Sequence, residues 1–218
     1  MMTSLLRVVS GLLFVTLIGA TAAYADGPQL GRDYTVLERP LASPKDRIEI
    51  IEFFSYGCPH CKEFHPALDA WAAALPKDVT LRRVPVSFNR PPWARLSRLY
   101  FTLEALGEAP RLNSAVFTAL HEERVAMNSD EAVVDWAVKK GLDRKKFNDM
   151  FTSFSMVQTL APRADQEAAS AGIRGVPSLV VDGKYLLNNE AAGSYTGLLS
   201  TTDKLIAKAR AERKNKSK

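Results

Sequence analysis

Phe53-Phe54-Ser55-Tyr56-Gly57-Cys58-Pro59-His60-Cys61-Lys62-Glu63-Phe64 holds both cysteines of this 218-residue chain, separated only by a proline and a histidine. Upstream, Ile48-Glu49-Ile50-Ile51-Glu52-Phe53-Phe54 is β-branched and aromatic, the composition of a buried strand. Downstream, Phe64, Leu68, Trp71, Ala72 and Leu75 recur at helical spacing. The cysteines therefore mark a strand-to-helix junction, with Cys58 at the helix start. Pro59 suits the first helical position, because it lacks the N–H that would be orphaned there and its φ is already near the helical value.

That placement has chemical consequences. A thiolate at Cys58 would face the unpaired amides and positive dipole end of the helix, so the anion is favoured over the thiol. His60 can add a positive charge or a hydrogen-bond donor to the same sulfur. Cys61, one turn inside, is placed to close a short disulfide with Cys58 and is expected to be the less exposed of the two. Stabilising the thiolate stabilises the reduced pair, which makes the disulfide a strong oxidant.

Other uses of a Cys-x-x-Cys pair fit less well. A zinc site needs four ligands, and the chain offers two cysteines and the scattered His60, His65 and His121; His65 could add a third ligand on the same helix. A loop this short constrains little unfolded-chain entropy, so it would be a poor structural staple. The sequence predicts redox chemistry, with no metal and no organic cofactor.

Phe53-Phe54-Ser55 followed by Cys58-Pro59-His60-Cys61, with Gly175-Val176-Pro177 far downstream, resembles the DsbA family of thiol:disulfide oxidoreductases over essentially the whole mature chain. A strongly oxidising, low-pKa thiol pair is the known pattern of that family, so the resemblance carries the same direction. It implies a thioredoxin-like α/β fold with an inserted all-helical domain that sits as a lid over one side of the active site. It implies a cis-proline at Pro177, packed against the cysteines, with Val176 offering backbone groups to an extended substrate segment beside Cys58. It also implies reoxidation by a DsbB-like membrane partner that passes electrons to quinone. Familiar members carry a bulky aromatic before the first cysteine; here the residue is Gly57, which predicts a less apolar and more mobile surface.

On period-two counting Glu52 shares a face with Ile48, Ile50 and Phe54. Buried beneath the cysteines, its carboxyl would have a raised pKa and could exchange the proton that Cys61 must gain or lose. The resemblance supports this role, since a buried glutamate occupies the similar position in DsbA-type enzymes. The bland reading places it at a solvated strand end.

The N-terminus, with Arg7, an apolar run from Val8 to Ala20 and Ala23-Tyr24-Ala25, reads as a secretory signal over residues 1–25, cleaved after Ala25. Its apolar core is too short for a comfortable membrane span. This predicts a periplasmic protein acting on exported polypeptides with free cysteines; a monomer is expected, since an isomerase-type dimerisation element is not seen ahead of the thioredoxin-like part. The formal charge of +5 aids solubility without pointing to nucleic acid.

The predicted domains are a first thioredoxin-like part over 26–90, an inserted helical part over 91–155 and a second thioredoxin-like part over 156–218. In the first, Tyr34–Glu38 reads as an edge strand and Val79–Val86 as another strand near an edge, because of Pro85. The insertion opens after Arg90-Pro91-Pro92 with a stripe from Trp93 to Leu106, closed by Gly107. A second helix carries Leu112 and Val116, and His121 reads as a surface or helix-end residue. Asn128-Ser129-Asp130-Glu131 resembles a capping box, and Asp143 caps a helix bearing Phe147, Met150, Phe151 and Phe154. Met156–Ala171 reads as one long helix kinked at Pro162. Asp182-Gly183 predicts a tight hairpin, and Tyr195 to about Ala211 a final helix with a frayed basic end.

A same-fold reductase or isomerase is the nearest competing function. A metal-binding chaperone using Cys58, Cys61 and a histidine, and a non-catalytic peptide binder, come from other classes.

Overall fold

The structure, a computed structural model, describes residues 27–188 and 193–216; the expected signal segment lies outside the described residues. Five strands form one mixed sheet in the order β1-β5-β4-β2-β3: β1 Thr35–Val36, β2 Ile48–Phe54, β3 Val79–Pro85, β4 Ser178–Val181 and β5 Tyr185–Asn188. β2 runs parallel to β3 and antiparallel to β4, which pairs antiparallel with β5. Both β1 and β3 lie at sheet edges, which suits the two-residue length of β1 and the proline, Pro85, that closes β3.

β2 is buried on both faces, as its largely β-branched and aromatic composition predicts, and Glu52 is buried with it. Ile48 and Ile50 pack with Phe64 and Leu68 of α1 (Pro59–Ala73) and with Leu198, Leu205 and Ile206 of the C-terminal helix, α7 (Tyr195–Lys216). Ile51 and Phe53 face the other way, against Ala164 and Ala168 of α6 (Ala161–Ser170). Between β3 and that return to the sheet come α2 (Pro91–Ala105), α3 (Ala109–His121), α4 (Asp130–Lys139) and α5 (Arg144–Phe151). Their inward stripes form a separate core that also takes in Phe54, Tyr56, Cys58 and Cys61. The cysteines thus sit where the helical core meets the sheet. This is a thioredoxin-like α/β fold with a helical insertion.

Several local expectations need correction. Ser129 does cap α4, its Oγ accepting from the Ala132 N–H at 3.1 Å, but the third residue on is Ala132, so no side chain reaches back to complete a capping box. Asp143 caps α5 as expected. Phe154 lies beyond the end of α5 and is 76 % exposed rather than packed. The long helix is a π-helical segment, Ser155–Leu160, leading into α6, with Pro162 in the first turn of α6. Proline cannot donate to the carbonyl four residues back and its ring crowds that carbonyl, so the preceding turn widens instead. α7 continues to Lys216. Its last turns are not simply solvated: Arg210 pairs with Asp78 at 2.8 Å, and Arg213 binds Asp182, Ser43 and the carbonyls of Pro44 and Lys45.

Asp182 and Gly183 both have positive φ, the hairpin geometry that an Asp-Gly pair supplies. A Cβ at Gly183 would stand 2.3 Å from the Leu41 carbonyl oxygen, so glycine is required there on two counts.

Candidate active site

Cys58 is the N-cap of α1 and Pro59 opens the helix. No side chain caps this end, so the first-turn amides remain available to the sulfur. Both cysteines carry free thiols and both are buried, Cys58 at 7 % and Cys61 at 0 % exposure. Their acidities diverge. Hydrogen bonding from the Cys61 thiol lowers the Cys58 pKa to about 6, against the cost of burial; the backbone amides of Cys61 and His60 and the charge of His60 add to the lowering. Burial pushes Cys61 well above an ordinary thiol, and the neighbouring Cys58 and Glu52 push the same way. The first thiol is therefore the more readily ionised of the two, and the second the one that keeps its proton.

His60 stands largely in solvent, with Nδ1 3.4 Å from Glu63 Oε2. Its backbone amide precedes its imidazole among the influences on Cys58. The Tyr195 hydroxyl lies 3.0 Å from the His60 carbonyl and 3.1 Å from Glu63, fastening this turn to α7. Across the cysteines, the Val176–Pro177 peptide is cis, and the Cys58 thiol donates to the Val176 carbonyl at 3.4 Å.

Glu52 is 2 % exposed, and burial raises its pKa to about 7 despite an ion pair with Arg83 at 2.8 Å. The solvated strand-end reading is therefore excluded. Arg83 lies directly beside Glu52 in the parallel β2–β3 register and also binds Asp69 of α1. Sequence reading found the carboxylate but not its cation; the signal was the register that pairs residue 52 with residue 83.

His65 is buried, with Nε2 3.0 Å from Ser114 Oγ and 3.3 Å from Asp69, and burial lowers its pKa. Among the described residues no group of three or more His, Cys, Asp or Glu side chains could hold a metal ion. Two further residues escaped the sequence. Trp93 of α2 lies over Gly57, where a Cβ would meet its Nε1 at 2.6 Å. Gly57 is thus covered by an aromatic ring from the insertion, which corrects the expectation of a less apolar surface there. His121, at the end of α3, has Nε2 2.7 Å from the Tyr56 carbonyl.

An acidic helix-capping thiol, a buried proton-holding thiol and a cis-proline against them define a thioredoxin-fold redox site. Residues 49–195 match the family described as DSBA-like thioredoxin domain, and the chain belongs to that family. It is 40 % identical over 203 residues to the thiol:disulfide interchange protein DsbA of Bordetella pertussis, covering 91 % of this chain and 96 % of that one. It is 34 % identical over 208 residues to the DsbA of Pseudomonas aeruginosa, covering 95 % and 98 %. The crystal structure of Pseudomonas aeruginosa DsbA superimposes with a TM-score of 0.80 at 34 % identity, covering 84 % of this chain and 95 % of that one.

Proposed function

We propose that this chain is a thiol:disulfide oxidoreductase that donates a Cys58–Cys61 disulfide to dithiols of newly exported proteins. The observation that carries the reading is the opposite displacement of the two thiol acidities across one helical turn. A substrate thiolate attacks Cys58 Sγ, breaking the enzyme disulfide and forming a mixed disulfide; Cys61 leaves as a thiolate and takes up a proton. Glu52, with a pKa of about 7 and beneath the pair, is the group suited to supply that proton. A second substrate thiolate then attacks the substrate sulfur of the mixed disulfide and expels Cys58, whose low pKa makes it the better leaving group. Two electrons pass from substrate to enzyme, and the enzyme ends as the dithiol.

An extended substrate segment has room in a cleft of about 870 Å³ lined by His60, Gly175, Val176 and Pro177. Val176 offers its backbone there. Return to the disulfide falls to a DsbB-like membrane partner, and the N-terminal segment of the sequence supports export to the periplasm through a signal cleaved after Ala25. The equilibrium with glutathione and the pH dependence of Cys58 alkylation test the proposal. Alkylation titrating near pH 6, with an equilibrium favouring the dithiol enzyme, is expected. A Cys58 titrating as an ordinary thiol near pH 8.5 removes the thermodynamic drive and overturns it.

A further inference from the structure

The segment that carries Cys58 into α1 is a tight turn. The Cys58 N–H donates to the Ser55 carbonyl at 3.0 Å, which makes Tyr56 and Gly57 its central residues. The peptide between two such residues can flip as a unit, exchanging a φ of about −90° at the second for one of about +80°. Glycine accepts both. Gly57 is not among the glycines with positive φ, so the turn holds the unflipped form. Residue type alone does not select it.

Both ends of that peptide are held. The Gly57 N–H donates to Ser55 Oγ at 3.2 Å, and the Tyr56 carbonyl faces His121 Nε2 at 2.7 Å. The His121 ring stacks on Phe117, with centroids 6.3 Å apart at 29°. The next residue, Glu122, pairs with Lys62 at 2.8 Å, so the end of α3 touches the chain on either side of the cysteine pair.

Resting on the reading of Cys58 as the attacked sulfur, we infer that His121 is a positioning residue: its Nε2–H fixes the Tyr56–Gly57 peptide and so holds Cys58 over the amides of α1. His121→Phe keeps a ring on Phe117 and removes the donor; His121→Gln keeps an amide donor and removes the ring. In His121→Phe, Cys58 alkylation at pH 6 is expected to slow, and the glutathione equilibrium to move toward the enzyme disulfide, by about threefold to tenfold, the factor one hydrogen bond imposes on a two-state equilibrium. His121→Gln restores both values. Ring nitrogen NMR of the unsubstituted protein should find the proton of neutral His121 on Nε2, a readout that stands even if a variant fails to fold. A His121→Phe profile superimposable on the parent's, equal losses in both variants, or a neutral imidazole protonated on Nδ1 overturns the inference. Oxidation of a dithiol peptide by the parent, measured alongside, separates this failure from failure of the proposed function.

Discussion

The sheet and the helical insertion grip the same helix by different chemistry. From the sheet side, α1 rests over charged groups: Glu52 and its partner Arg83, which also reaches up to Asp69 of α1 itself. From the insertion, apart from the Glu122–Lys62 pair at the surface, the contacts near the cysteines are rings and side-chain hydrogen bonds: Trp93 over Gly57, His121 at the Tyr56 carbonyl and Ser114 at His65. Buried charge beneath the helix shifts acidities, because a low-dielectric surround penalises whichever form lacks a partner. The rings and hydrogen bonds from the insertion act on acidity through where they hold the sulfur relative to the helix amides. One side governs where protons reside; the other governs where the sulfur stands.

The largest effect tests the pair that both sides serve. Cys58→Ala is expected to reduce dithiol-peptide oxidation to the uncatalysed rate, whereas Cys61→Ser should accumulate mixed disulfides visible by non-reducing electrophoresis. Retained oxidation in the first variant, or absent adducts in the second, breaks the assigned roles.

The sheet side is probed next. Glu52→Gln should slow release and uptake of the Cys61 proton, lowering turnover at neutral pH by roughly a hundredfold, the lower end of what a positioned acid–base group contributes. The same residue gives a stability signature. Its folded pKa of about 7 lies above the ordinary 4.5, so its favourable contribution is complete below pH 4.5 and is lost as pH rises through about 7. Thermal melts of the parent should show that decline, and those of Glu52→Gln should show it flattened.

The insertion side is tested by Gly57→Ala, which drives a methyl into the Trp93 indole. Overpacking of this kind costs about 1–3 kcal/mol, read from denaturant midpoints, and pairing it with Trp93→Leu should recover most of the loss. A neutral Gly57→Ala would show that the ring does not fix the turn. The smallest change is expected for His60→Leu, because the backbone amide it leaves in place precedes the imidazole among the influences on Cys58. The alkylation midpoint should rise by less than one pH unit, about 1.4 kcal/mol. A larger rise would transfer control of the thiolate from the backbone to the side chain.

The junction of β2 and α1 was legible because its signals are local: an apolar run, a proline at the first helical position and a heptad-like stripe. The cis peptide at Pro177 was expected from family resemblance rather than from residue physics, and Glu52 stood open between two readings until the pairing register buried it. Arg83, Trp93 and His121 act through contacts made across long sequence separations. No periodicity in their own segments marks such partners. The π-helical turn before Pro162 was likewise hidden, since a kink and a widened turn answer the same missing donor.

Arg213 of α7 clasps the hairpin residue Asp182 and the loop at Ser43–Lys45, at the end of β4 opposite Pro177. A carboxypeptidase that trimmed the chain to residue 209 would unfasten that pole while leaving the cysteine end intact.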